Sequence, residues 1–144
     1  MRWLFELSGE HPTLPSAEAV ACFEALKSRA TEIEVDGSVM TFAAEAKPEL
    51  VAERLAMSYF VNEEITAGAF EDILAASEKL DLAGARFMVR APARGGSMRK
   101  SVEEKIGKVL ARTGKVDLGR PEVIFRVHEG KRWHLSKVLC KVAE

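Results

Sequence analysis

Residues 31–43 read TEIEVDGSVMTFA. Two alternating runs flank Asp36-Gly37, a pair whose backbone preferences suit the two-residue turn of a β-hairpin. Thr31–Val35 makes the first strand and Ser38–Ala43 the second, with Val39 and Thr41 on one face and Met40 and Phe42 on the other. Upstream, Trp3, Phe5 and Leu7 alternate with Leu4, Glu6 and Ser8, which reads as another strand. Between that strand and the hairpin, Pro15-Ser16-Ala17-Glu18 opens a helix with Ser16 as N-cap, and Val20, Phe23 and Leu26 form its buried stripe. Downstream, Pro48 fits the first turn of a second helix carrying Leu50, Val51, Leu55 and Ala56, and Ser58–Val61 reads as a closing strand. The order is βαββαβ, the ferredoxin-like pattern.

A different arrangement follows. Phe70–Leu80 is an apolar helical segment ended by Asp81 and Gly84. Ala85–Ala91 is a strand in which Phe87 and Val89 face away from Arg86, Met88 and Arg90. The loop 92–97, PARGGS, leads into a helix over Met98–Arg112 with the stripe Val102, Ile106, Val109 and Leu110. Lys105, Lys108 and Arg112 are spaced to share a neighbouring face of that helix. After Gly119 and Pro121 come a strand at Val123–Val127, a turn at Glu129-Gly130-Lys131 and a last strand over Arg132–Val142. The chain is therefore α+β, with one domain over residues 1–64 and a second over 65–144 and no long linker between them.

Net charge is −1, but it is unevenly spread. Residues 1–81 hold 6 Lys+Arg against 16 Asp+Glu, a net −10, whereas residues 82–144 hold 15 against 6, a net +9. Such asymmetry suits a polyanionic partner for the second half, or two domains with unlike solvated surfaces. No apolar run approaches the ~20 residues that span a bilayer, so no membrane segment is expected. The two cysteines, Cys22 and Cys140, lie outside any CxxC pair, which argues against zinc and fits a cytoplasmic setting.

Candidate chemistry is sparse. His11 has Glu10 beside it and Glu18 on the next helix, an acid–base pair in principle, but no nucleophile accompanies them. His128 and His134 fall in predicted strands with no metal-ligand pattern around them. Arg94-Gly95-Gly96-Ser97 is not a P-loop. Its glycines let a backbone approach an anion, Ser97 can cap the following helix, and the amides at a helix start favour phosphate. The same segment also reads as a flexible loop with solvated charges. Trp133, set among Lys131, Arg132 and His134, either stacks a base or packs in the core.

The stretch FELSGEHPTLPSAEA, residues 5–19, resembles the amino-terminal signature of the archaeal tRNA guanine-N2 methyltransferases that modify position 10 of tRNA. Residues 84–138, from GARFMVR through KIGKVL and DLGRPEVIFRV to HLSKV, are similar to a THUMP domain. The resemblance implies a ferredoxin-like domain packed against a THUMP domain, and makes GEHPTLP a strand-to-helix connector. It also implies a tRNA-binding module that grips the acceptor stem and 3′ end. The family's catalytic domain carries a glycine-rich S-adenosylmethionine loop and an N/D-P-P-Y motif, and neither occurs here. No catalysis and no cofactor are therefore expected of this chain. S-adenosylmethionine belongs to a methyltransferase domain supplied in cis or in trans.

Carried onto this sequence, the resemblance places phosphate contacts at Arg90 and Arg94 near the strand end and at Arg99 and Lys100 at the helix start. Lys105 and Lys108 along the helix, and Lys131, Arg132 and Lys137 on the last hairpin, complete the set. The competing expectations are a stand-alone THUMP accessory protein and a protein–protein adaptor, either of them supporting a separate tRNA-modifying enzyme.

Overall fold

A computed structural model describes residues 2–7, 31–36, 39–45, 58–91 and 97–141. The expected helices after Ser16 and Pro48, the His11–Glu10 loop, Cys22, the hairpin turn at Gly37-Ser38 and the loop 92–96 with Arg94 lie outside the described residues. The chain divides into two compact units, one of residues 1–64 with 138–144 and one of residues 65–137.

The first unit contains β1 (Arg2–Leu7), β2 (Thr31–Asp36), β3 (Val39–Ala43) and most of β4 (Ser58–Gly68). The 31–43 hairpin forms as the sequence expects, with Asp36 opposite Val39 and Val35 opposite Met40. β1 is central, antiparallel to β3 on one side and β4 on the other, giving the order β2-β3-β1-β4. β1 and β2 are thus parallel with β3 between them. Centrality explains why Trp3, Leu4 and Phe5 are all fully buried. Trp3, Phe5 and Phe42 stack at 5.4–6.2 Å, and the Trp3 indole donates to the Ala44 carbonyl at 2.9 Å, so the ring is buried without losing its hydrogen bond. On the opposite face the Arg2 guanidinium meets Glu32, Glu34 and Glu64 at 3.3–3.8 Å and donates to the Thr41 hydroxyl at 2.9 Å. β4 runs well past the four residues that the sequence marks. Asn62 and Glu63 look like a loop by composition, yet they pair with β1 and Asn62 is fully buried.

The second unit holds α1 (Phe70–Lys79), β5 (Arg86–Arg90), α2 (Ser97–Leu110), β6 (Lys115–Val116), β7 (Val123–Glu129) and most of β8 (Trp133–Lys141). The order is β8-β7-β5-β6, with β5 parallel to both β6 and β7 and a β7–β8 hairpin closing the chain. The core joins Ile73 of α1, Val102, Ile106 and Leu110 of α2, Phe87 and Val89 of β5, Phe125 and Val127 of β7, and Leu135 of β8. Each such fully buried side chain contributes roughly 1.5–3 kcal/mol relative to exposure. Phe87 and Phe125 meet edge to face at 6.4 Å.

Two expectations are corrected here. β6 is a strand that the sequence does not announce, because two residues are too short for alternation to register. It exists through bonds from the Lys115 amide to the Ala85 carbonyl and from the Asp117 amide to the Phe87 carbonyl, both 2.9 Å. α2 ends at Leu110, where the Arg112 and Thr113 amides tighten onto the Val109 and Leu110 carbonyls, so Arg112 leaves the helical face expected to hold it. Its guanidinium instead lies 4.0 Å from Glu78.

Candidate nucleic-acid interface

Parallel pairing decides which cations share one end of the second unit. Arg90 closes β5 and stands in register with Arg126 of β7. β7 runs three residues further, about 10 Å at ~3.3 Å per residue, before the chain turns back into β8. The β7–β8 loop, with exposed Lys131 and Arg132, therefore lies at the same end as Arg90. α2 also starts at that end, since five residues separate Ala91 from Ser97 and Glu103 of α2 holds the Ala91 amide.

Glu103, nearly two turns into α2, fixes this junction. Its carboxylate accepts the Ala91 amide at 3.1 Å and stands 3.7 Å from the Arg90 guanidinium. The end of β5 is thereby tied to a side chain of α2. The first turn of α2 contains no acidic residue, and Lys100 on it is exposed. Unsatisfied amides at a helix start, with a lysine beside them and no carboxylate, make a favourable surroundings for phosphate.

The remaining predicted cations are spread more widely. Arg99 belongs to α2, and Arg94 lies outside the described residues. Lys105 is turned toward α1, its ammonium 5.9 Å from the Phe70 ring. Lys108 lies about two turns along the helix from Lys100, about 12 Å at ~1.5 Å per residue, and lines the same groove as Lys100 and Arg90. Lys137 is exposed on β8, in the row formed by Phe125 and Val89. The cluster that shares one end is thus Arg90, Lys100, Lys131 and Arg132. Trp133 is half-buried, with its ring 5.0 Å from Phe70 at the margin of the core, so the packing reading describes it better than the stacking one.

Three features escaped the sequence. His128 and His134 are directly opposed in the β7–β8 register and both are buried, 2% and 1% exposed. Their six-residue spacing carried that signal once the three-residue turn was placed. Asp117 builds the turn into β7, its carboxylate accepting the Gly119 and Arg120 amides at 2.9 and 3.0 Å. Those two donations, the Arg120 amide first, hold its carboxyl below the ordinary aspartate range. Asp-Leu-Gly-Arg-Pro was legible as such a turn. Last, a groove of about 700 Å³ opens between the β5–β6 side of the sheet and α2, running from Arg90, Lys100 and Glu104 at the cationic end past Lys108 to Val116 and Leu118. Among the described residues no group of His, Cys, Asp or Glu is arranged to hold a metal ion, and no helix is long and apolar enough to cross a membrane.

By sequence alone, no family profile and no curated protein matches this chain. By structure, it resembles TrmN from Thermus thermophilus, with a TM-score of 0.67 and 23% identity over 99% of this chain and 46% of that one. PH1313 from Pyrococcus horikoshii Ot3 aligns with a TM-score of 0.63 and 10% identity over 95% of this chain and 54% of its own. A 4-thiouridine synthetase, solved as an RNA complex with bound ATP, aligns with a TM-score of 0.57 and 10% identity over 96% of this chain and 42% of its own. The fold is shared with these proteins, and the chain spans about half of their length.

Proposed function

We propose that this chain is a tRNA-binding module, built from a ferredoxin-like unit and a THUMP unit, that serves a tRNA-modifying enzyme. The observation that carries the reading is the convergence of Arg90, Lys100, Lys131 and Arg132 at one end of the second unit, beside a helix start free of acidic residues. A shared fold with TrmN and with a thiouridine synthetase solved with RNA supports it. In this reading the cations contact phosphates, and recognition follows the shape of the acceptor stem and its 3′ end rather than base sequence. The chemistry is guanine-N2 methylation, performed by a separate S-adenosylmethionine-dependent domain in cis or in trans. The module itself is cytoplasmic and non-catalytic.

Salt dependence tests the proposal. Each phosphate contact releases condensed counterions, so about four to six contacts give a log–log slope of roughly −3 to −5 for tRNA affinity against salt. Charge reversal at Arg94, Arg99 or Lys131 should flatten that slope by about one unit each. Reversal at Lys27 or Arg54, in the acidic half, should leave it unchanged. Equal effects from both halves would refute the proposed face, and tight binding with a flat salt dependence would refute phosphate recognition altogether.

A further inference from the structure

The groove between α2 and β6 has features that phosphate recognition does not use. β6 is the last strand of the order among the described residues. The Lys115 and Asp117 amides are spent on β5, so the amide and carbonyl of Val116, which alternate with them, point away from the sheet. Val116 and Leu118 are 52% and 64% exposed, an unusual degree for two neighbouring aliphatic side chains on a strand edge. Across from them the wall of α2 presents Gly107 and Ala111. Glycine in a helix interior is unfavourable, and nothing in this structure requires it at 107, because a Cβ built there meets no atom within 4 Å. That open wall leaves room for another chain to come close.

Charge narrows what that chain is. Arg86 and Arg112 are taken up by Glu122 and Glu78, and Arg90, beside Glu103, belongs to the end assigned to phosphate. Lys100 and Lys108, exposed along the α2 wall of the groove with Glu104 between them, have no such partner among the described residues. An RNA strand would satisfy the lysines but gain nothing from Val116 and Leu118, since bases stack on aromatic faces and the groove's one ring, Phe87, is fully buried. A peptide satisfies all three features. Its backbone pairs with Val116, its apolar side chains cover Val116 and Leu118, and its carboxylates meet the lysines.

We propose that this groove receives an extended segment of a partner protein, with alternating apolar and acidic side chains, added to the sheet beside β6. The chain's own β2 has similar chemistry, with Ile33 and Val35 exposed between Glu32, Glu34 and Asp36, so a second copy is the competing occupant to be measured.

The test is fluorescence anisotropy of a labelled peptide of five valine–glutamate pairs, titrated with the whole 144-residue chain at low salt. Saturable binding is expected, weakened about tenfold or more by Leu118→Lys and unaffected by Lys131→Glu. Gly107→Leu, whose side chain enters open space, should weaken it similarly while circular dichroism shows the fold retained. Absence of saturable binding up to about 1 mM would overturn the proposal, as would equal binding of a serine–glutamate peptide. Displacement of the peptide by tRNA, with tRNA affinity lowered by Leu118→Lys, would assign the groove to nucleic acid instead. Sedimentation showing self-association that Leu118→Lys abolishes would assign it to a second copy. Either result overturns the partner reading.

Discussion

A methyl group at position 114 would collide with the core. A Cβ on Gly114 stands 2.5 Å from Leu82 Cδ1, 3.0 Å from Leu82 Cβ and 2.9 Å from a ring carbon of the fully buried Phe87. Leu82 cannot simply step aside, because its amide is held by the Thr113 hydroxyl at 3.1 Å. Gly114→Ala should therefore destabilise the protein by about 1–3 kcal/mol, read from urea denaturation. An unchanged midpoint would show that the segment gives way more easily than its contacts suggest. Asp117 makes a second residue-scale prediction. Its folded carboxyl titrates below the ordinary 3.8, so its stabilising effect is complete above that value and is lost as pH falls through the lowered one. Carbon-detected NMR should place its midpoint below 3.8, and Asp117→Asn should remove that part of the acid dependence while keeping the turn. A midpoint at or above 3.8 would contradict the two amide donations. None of this detail at Gly114 was legible in the sequence, because the constraint comes from residues 27 and 32 positions away in the chain.

At the scale of elements, legibility followed length and periodicity. The 31–43 hairpin, α1, β5 and α2 were readable because each repeats its pattern long enough to be distinct. β6 was not, and neither was the polar continuation of β4, since both are strands by virtue of pairing rather than composition. The proposed cationic site was legible only in part. Arg90, Lys100, Lys131 and Arg132 share one end of the second unit because β5 and β7 are parallel, a relation no local pattern encodes. Lys105 and Lys108 were grouped with them by spacing along α2, which turns Lys105 toward Phe70 and sets Lys108 about two turns beyond Lys100 on the same groove. The same helix offers its own prediction. With open space around Gly107, Gly107→Ala should raise stability by about 1 kcal/mol through helix propensity alone, read from the same urea denaturation. A loss of stability would mean that the glycine answers a constraint inside the fold rather than the needs of a visitor to the groove.

For the molecule as a whole, the uneven charge takes on a structural meaning: the basic half of the sequence supplies nearly all of the second unit's strands and the whole of its cationic end. The first unit spends its one described arginine of β1, Arg2, on three glutamates of its own. The division of the chain has a consequence for its synthesis. Residues 65–137 are nested within the first unit, whose closing segment is residues 138–144. On the ribosome, the second unit therefore has every one of its residues at hand while the first still waits for its last seven. The part made first is the part completed last, and a cut after Glu64 yields a first unit without the piece that finishes it.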